Sequence, residues 1–204
     1  LILYYFLIKK RLIVGAKVWL ILCSLFFFSW WDIAYLPILL FSILFNFVVG
    51  TLLYGKFKST KANKPLLIFG IAINLLLLGY FKYAEFFIKN ISGFLNLNFS
   101  SLNIVMPLAI SFFTFQQIAY LVDSYKGEIK KYDFLNYALF VSFFPQLIAG
   151  PIVHHKEMMP QFLFLRNLTV CYKNIAKGLF LFFVGLFKKI VIADTFSEWA
   201  TSGF

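Results

Sequence analysis

Long apolar runs alternate along this chain with short basic or polar breaks, and several runs have the length of a helix that crosses a bilayer, about 20 mostly apolar residues. Leu12–Trp30 and Tyr35–Tyr54 reach that length, and Leu66–Phe81 reads as a third span. Leu1–Ile8 is short and reads as the tail of a span. Ile104–Val122 is a further span. Phe134–Ile148 is apolar but interrupted by Pro145, and Gly178–Ala193 is a last apolar segment with Lys188 and Lys189 near its end. Lys17 sits near the start of its run and is expected to carry its ammonium to the interface on its flexible stem. Beyond Phe81, Phe86, Phe87, Ile91 and Phe94 recur near helical spacing, which reads either as an interfacial helix or as an extension of the span before it. The predicted fold is therefore all-α: a polytopic transmembrane helical protein of about six spans or part-spans, one membrane domain over residues 1–204.

The breaks set an orientation. Lys9–Arg11, Lys56–Lys64 and Lys126–Lys131 are basic, and they alternate with the poorer turns at Trp31–Ile33 and Gly93–Asn103. Short basic loops stay on the cytoplasmic side, which puts the Leu1 end outside. The pattern fails after Ala149. Pro145 and Pro151 lack the backbone donor a helix needs, and Gly150 permits close backbone approach. Non-helical backbone at membrane depth survives only inside protein or beside a wet cavity, so a re-entrant segment is expected near 143–160.

Composition changes the picture only by excluding alternatives. Of 204 residues, 62% are hydrophobic and 13% charged, where a soluble domain carries about 25% charged. Mean hydropathy is +0.86. The 29 phenylalanines exceed what a soluble core of this size could hide. The formal charge of +11 comes from lysines clustered between apolar runs, not from a solvated basic face, so nucleic-acid binding is excluded as a reading. Cys23 and Cys171 suggest neither a disulfide framework nor a metal site. A chain that starts at Leu1 and stops at Phe204 just after an apolar run is expected to be a piece of a longer protein.

Polar groups inside spans are costly and tend to mark function. At about 100° per residue, Gln116, Gln117, Tyr120, Asp123 and Ser124 share an arc of roughly 120° on one helix, with Ser111 and Thr114 off it. Such a stripe faces protein or water. It is either glue between helices or the wall of a pocket or tunnel. Asn46 and Asn74 are single polar residues in their spans and read as glue. His154, His155, Lys156 and Glu157 arrive together beside the broken segment. They form a solvated turn, line a cavity, or make a catalytic or metal centre; a His–Glu pair can do general-base work. Adjacent histidines beside Met158 and Met159 are poor company for zinc. The candidate cavity-lining residues are thus Gln116, Gln117, Tyr120, Asp123, His154, His155 and Glu157.

Two stretches carry a resemblance. One runs from Met106-Pro107-Leu108 through Ser111-Phe112-Phe113-Thr114-Phe115-Gln116-Gln117 to Asp123. The other runs from Gln146–Gly150 into Pro151-Ile152-Val153 and ends at Pro160-Gln161-Phe162. Together, with Ser24–Trp31 (SLFFFSWW), they resemble the membrane-bound O-acyltransferase family over roughly Leu12 to Phe196. The nearest branch is the bacterial alginate O-acetyltransferase type, with the D-alanyl transfer protein of teichoic acid synthesis as a cousin. The resemblance implies a multi-span enzyme of the bacterial cytoplasmic (inner) membrane with a funnel or tunnel through the bilayer. It implies no bound cofactor, a cytoplasmic acyl donor such as acetyl-CoA, and an acceptor that is an exported polysaccharide or a periplasmic partner protein that modifies one. It also implies an essential histidine in a later Trp-His-Gly motif, preceded by a Trp-His motif. Neither motif occurs in these residues. His154 and His155 fall where relatives often carry Arg and another residue, so the catalytic role is not carried to them. The expectation is the N-terminal part of an O-acetyltransferase, inactive by itself. The alternatives are a non-catalytic membrane scaffold or a transporter component. A transporter predicts inverted repeats, and no repeat is found.

Overall fold

The computed structural model describes residues 2–55, 60–95, 105–129, 133–147, 155–162 and 169–203. Among them the backbone is helical with no strand, as the apolar runs require. The elements are α1 (Ile2–Lys9), α2 (Ile13–Trp31), α3 (Leu36–Gly55), α4 (Thr60–Leu95), α5 (Ile110–Tyr125), α6 (Phe134–Ser142), α7 (Phe144–Leu147), α8 (His155–Met158), α9 (Tyr172–Phe187) and α10 (Asp194–Gly203). Contacts divide the chain into two compact units, Leu1–Phe164 and Leu165–Phe204.

Three helices are long and apolar enough to cross a membrane, over Ile13–Trp30, Ile33–Tyr54 and Asn63–Ile88. The amphipathic stretch after Phe81 is an extension: α4 continues for 36 residues to Leu95, about 54 Å at 1.5 Å per residue. Between α2 and α3 the chain turns at Asp32, whose carboxylate accepts the Ala34 N–H at 2.9 Å and caps the 3₁₀ turn Ile33–Tyr35.

α5 departs from its sequence reading at both ends. It begins at Ile110, after Pro107 and a left-handed Ala109 (φ 57), so it has 16 residues and is about 24 Å long, short of a full span. At the other end the helix takes in Asp123 and Ser124. Gly127 (φ 72) then stops it: Glu128 N–H bonds the Asp123 carbonyl at 2.9 Å and Gly127 N–H the Ser124 carbonyl at 3.1 Å, a Schellman closure. Asp133 caps α6 by accepting the Leu135 N–H at 3.1 Å.

The run Phe134–Ile148 is broken as its proline demands. Pro145 has no N–H for the Val141 carbonyl, and its ring would collide with that carbonyl in a continuous helix. Phe143 swings out to ψ 101, α6 ends, and α7 restarts for four residues. The described parts of the supposed re-entrant segment are short: α7, α8 and the 3₁₀ turn Met159–Phe162. Residues 148–154, which include Gly150, Pro151 and His154, lie outside the described residues.

Lys17 does not snorkel. It is buried in the first unit, and its ammonium donates to Asn136 Oδ1 at 2.7 Å. The physical reason is that α6 packs its first turn against the first turns of α2, and an amide there substitutes for water.

Within the first unit the pairings fix relative direction. α3 and α4 are antiparallel: Tyr35 meets Phe81, Asn46 meets Asn74, and Asn63 Nδ2 bonds the Leu53 carbonyl. α2 runs parallel to α6 and α7, joined by Lys17–Asn136 at the start of α6 and by Phe27–Phe144 at the start of α7. The Phe47 ring of α3 meets Phe134 edge-on and Tyr137 at a tilt, both at the start of α6. The helix ends that flank Lys9–Arg11, 56–64 and 126–131 therefore lie at one end of the unit, as alternating topology requires.

Candidate functional site

The polar stripe of α5 points inward. Gln116, Gln117, Tyr120, Asp123 and Ser124 are all buried, while Phe115 on the far side is exposed. Thr114, placed off the stripe by the sequence reading, is buried as well. α5 has protein on about half its circumference, a wider face than the stripe alone.

Three separate arrangements use this face. The first is a clasp of three helices. Asn46 of α3 and Asn74 of α4 exchange side-chain amide bonds at 3.1 and 2.7 Å. The Asn46 amide also donates to the Ser42 carbonyl at 2.9 Å, and that of Asn74 to the Gly70 carbonyl at 2.7 Å. Gln117 Oε1 accepts from Ser42 Oγ at 2.7 Å and from the Asn46 amide. Ser42 and Asn46 sit four residues apart, so both meet one glutamine. Among the described residues the buried Gln117 Nε2 and Thr114 Oγ1 atoms have no hydrogen-bond partner.

The second arrangement follows from Pro145. Breaking the helix frees the Phe140 carbonyl, which an unbroken helix would have given to residue 144. Gln116 Nε2 takes it at 3.1 Å and Gln146 Nε2 at 3.2 Å. Gln116 thus acts across the interface between α5 and the broken segment, satisfying a backbone group that low dielectric would otherwise penalise.

The third is an aromatic cluster with titratable members. The Tyr120 ring lies 4.2 Å from Tyr137 and 5.7 Å from His155, and His155 meets Phe140 edge-on at 5.2 Å. Tyr120 also packs on α3 at Gly50, where a Cβ would overlap the tyrosine ring. Gly50 is required by close approach. Gly70 does the same one layer away: a Cβ there would stand 2.8 Å from Leu121 Cδ1. His155 belongs to α8, outside the spanning helices. Burial lowers its pKa to about 4, with the Asp123 charge pulling partly the other way. The imidazole is held neutral.

The structure therefore brings Tyr120, Asp123 and His155 of the sequence-selected residues together, and places Gln116 and Gln117 on neighbouring turns of the same helix. Glu157 is exposed, its backbone carbonyl accepting from Gln161 Nε2 at 3.2 Å, and His154 lies outside the described residues. Among the described residues no group of three His, Cys, Asp or Glu side chains could hold a metal ion. Ser42, Gly50, Tyr137 and Gln146 were not singled out from the sequence. The Ser42–Asn46 spacing carried a signal, since i and i+4 share a helix face. Tyr137 carried none, being one tyrosine in an apolar run.

These features define a multi-span helical membrane protein whose short central helix is polar toward its neighbours and whose next helix is broken at a proline. Residues 122–204 match the family model for MBOAT, the membrane-bound O-acyltransferase family. The peptidoglycan O-acetyltransferase of Helicobacter pylori is 47% identical over 92% of this chain and 40% of its own length. The probable alginate O-acetylase AlgI of Pseudomonas aeruginosa is 34% identical over 91% of this chain and 36% of its own. The protein of that name from Azotobacter vinelandii is 30% identical over 91% and 38%. The chain is thus similar to the membrane-bound O-acyltransferase family. It spans about two fifths of the length of these relatives, and no solved structure matches it significantly.

Proposed function

We propose that this protein is part of a membrane O-acetyltransferase that passes an acetyl group from a cytoplasmic donor such as acetyl-CoA to an extracytoplasmic polysaccharide, peptidoglycan or an alginate-like glycan. The observation that carries this reading is the 47% identity to a peptidoglycan O-acetyltransferase across 92% of the chain. The protein sits in a bacterial inner membrane with the basic helix ends in the cytoplasm and the Leu1 end outside. A periplasmic acyltransferase that completes the transfer is the partner the reading allows.

In this reading the residues present here build the wall of the acyl path and do not supply the base. Acyl transfer to a hydroxyl needs a base, a positioned thioester and a stabilised oxyanion. His155 is neutral at physiological pH and pressed between Tyr120 and Phe140. Tyr120, Asp123 and His155 form a polar edge where α5 meets α8, and Gln116, Gln117 and Ser42 fix that edge in position. His154 and Glu157 belong to the same stretch of chain and are proposed to flank the path.

The test uses sealed membrane vesicles from cells carrying the full-length gene, given acetyl-CoA labelled in the acetyl group. Label is expected on the glycan only when the donor reaches the cytoplasmic face. Tyr120→Phe and Gln117→Leu are expected to lower acetylation more than they lower the amount of protein. Label that never leaves the donor, with the protein present in normal amount, refutes the enzyme reading and favours a scaffold.

A further inference from the structure

The helical backbone of the second unit runs unbroken from Tyr172 to Gly203: α9, a π-turn over Lys188–Ala193, and α10. At 1.5 Å per residue it has ample length to cross a bilayer, but its charges are placed against crossing. Lys177 and Lys188 bound the apolar run 178–187, which is about 15 Å long, half the ~30 Å of a hydrocarbon core. Every 20-residue stretch within the helix takes in at least three charged side chains. Over the same residues apolar side chains run round the helix, Phe180, Val184 and Phe187 lying near the lysines, but the charges are one-sided. At about 100° per residue, Ile175, Leu179, Phe182, Phe183 and Leu186 fall within an arc of about 100°, and all are exposed in their unit. Lys173, Lys177 and Lys188 fall on the opposite side within an arc of about 60° and are exposed too. No Asp or Glu occurs between Glu157 and Asp194, and Asp194 is taken by Lys189, whose ammonium lies 2.7 Å from its carboxylate.

An exposed aromatic face backed by a strip of unopposed lysines is the pattern of a helix lying in a membrane surface. We propose that Tyr172–Phe187 lies in the plane of the bilayer interface, its Phe182–Phe183 side among acyl chains and Lys173, Lys177 and Lys188 against the phosphates of anionic phospholipid headgroups. Lysine suits this task, because its long stem lets the ammonium reach the headgroup level while its methylenes stay apolar. The assignment is independent of the acetyl-transfer reading, since it rests on this helix alone.

The full chain, with Cys23 and Cys171 replaced by serine, carries a nitroxide on single cysteines at each position from 175 to 187. It is reconstituted in vesicles of phosphatidylcholine with or without phosphatidylglycerol, and label depth is read from collision with oxygen and with a water-soluble nickel chelate. The expected result is a depth that oscillates with a period near 3.6 residues, with the Phe183 label among the deepest and the Lys177 label in the headgroups. The oscillation should lose at least half its amplitude without phosphatidylglycerol, or when Lys173, Lys177 and Lys188 are all changed to glutamine. A depth that changes steadily along the helix through the bilayer centre marks a crossing helix and overturns the proposal. So does uniform shielding from both reagents, which marks burial in protein, or an oscillation indifferent to anionic lipid and to the lysines.

Discussion

The Asn46–Asn74 pair offers a direct test of whether the clasp holds α3, α4 and α5 together. The two amides exchange bonds at 3.1 and 2.7 Å, and each residue is buried. Interhelical hydrogen bonds in membrane proteins average about 0.6 kcal/mol and reach about 1.7, so the exchanged pair contributes about 1–3 kcal/mol. Changing Asn46 to Leu leaves Asn74 Oδ1 without its donor, although Asn74 Nδ2 keeps the Gly70 carbonyl. Changing Asn74 to Leu leaves Asn46 Oδ1 likewise bare. An orphaned buried acceptor costs about 1–3 kcal/mol, whereas removing both partners is close to neutral for that pair. Each single change is therefore expected to cost about 2 kcal/mol, and the double change about the same as one, giving a coupling of about 1–2 kcal/mol. The assay is reversible unfolding of the full chain in mixed detergent micelles with rising denaturing detergent, compared across the four members of the cycle. Additivity within about 0.3 kcal/mol would mean the amides do not interact, and the clasp as described would be wrong.

Three further outcomes follow from the packing. Gly50→Ala should destabilise the protein by about 1–3 kcal/mol through overlap with the Tyr120 ring, and Tyr120→Leu should recover part of that loss; an innocuous Gly50→Ala, read by the same unfolding assay, would show that the contact is absent. Because burial holds the His155 pKa at about 4, below the usual 6.5, the unfolded chain binds this proton more readily than the folded one. Stability is therefore complete above pH about 6.5 and falls as pH drops toward 4, by up to about 3 kcal/mol. His155→Gln should flatten that slope between pH 6.5 and 4 in a thermal melt, and an unchanged slope would place the titration elsewhere. Cysteines at Lys10 and Lys126 should be labelled by an impermeant maleimide from the same side of sealed vesicles, because their helix ends lie at one end of the first unit; labelling from opposite sides would break the topology.

The apolar runs determined the class of protein, since a helix satisfies every backbone group within its own segment in lipid and needs a run of about 20 residues to cross. The alternation of basic loops gave the relative direction of the helices for the same reason, and the pairings of α3 with α4 and α2 with α6 agree with it. Single side chains were legible where their chemistry conflicts with lipid. Gln116, Gln117, Asn46 and Asn74 had to find protein partners, and they did.

Which partners they found was decided only in three dimensions. Gln116 and Gln117 are adjacent in sequence, yet one closes the carbonyl freed by Pro145 and the other joins a clasp from two other helices, because neighbouring helical positions point 100° apart. Lys17 looked like a residue that must reach water until α6 supplied Asn136. Gly50 is one glycine among 11 in the sequence, and only the tyrosine lying across it makes it necessary. His155 was one of two adjacent histidines with nothing to distinguish them; its neutral state comes from Tyr120, Phe140 and burial, a set of neighbours that no local pattern encodes. Periodicity and length are properties of the chain, and they fixed the elements. Contacts are properties of pairs far apart in sequence, and they fixed what each polar group does.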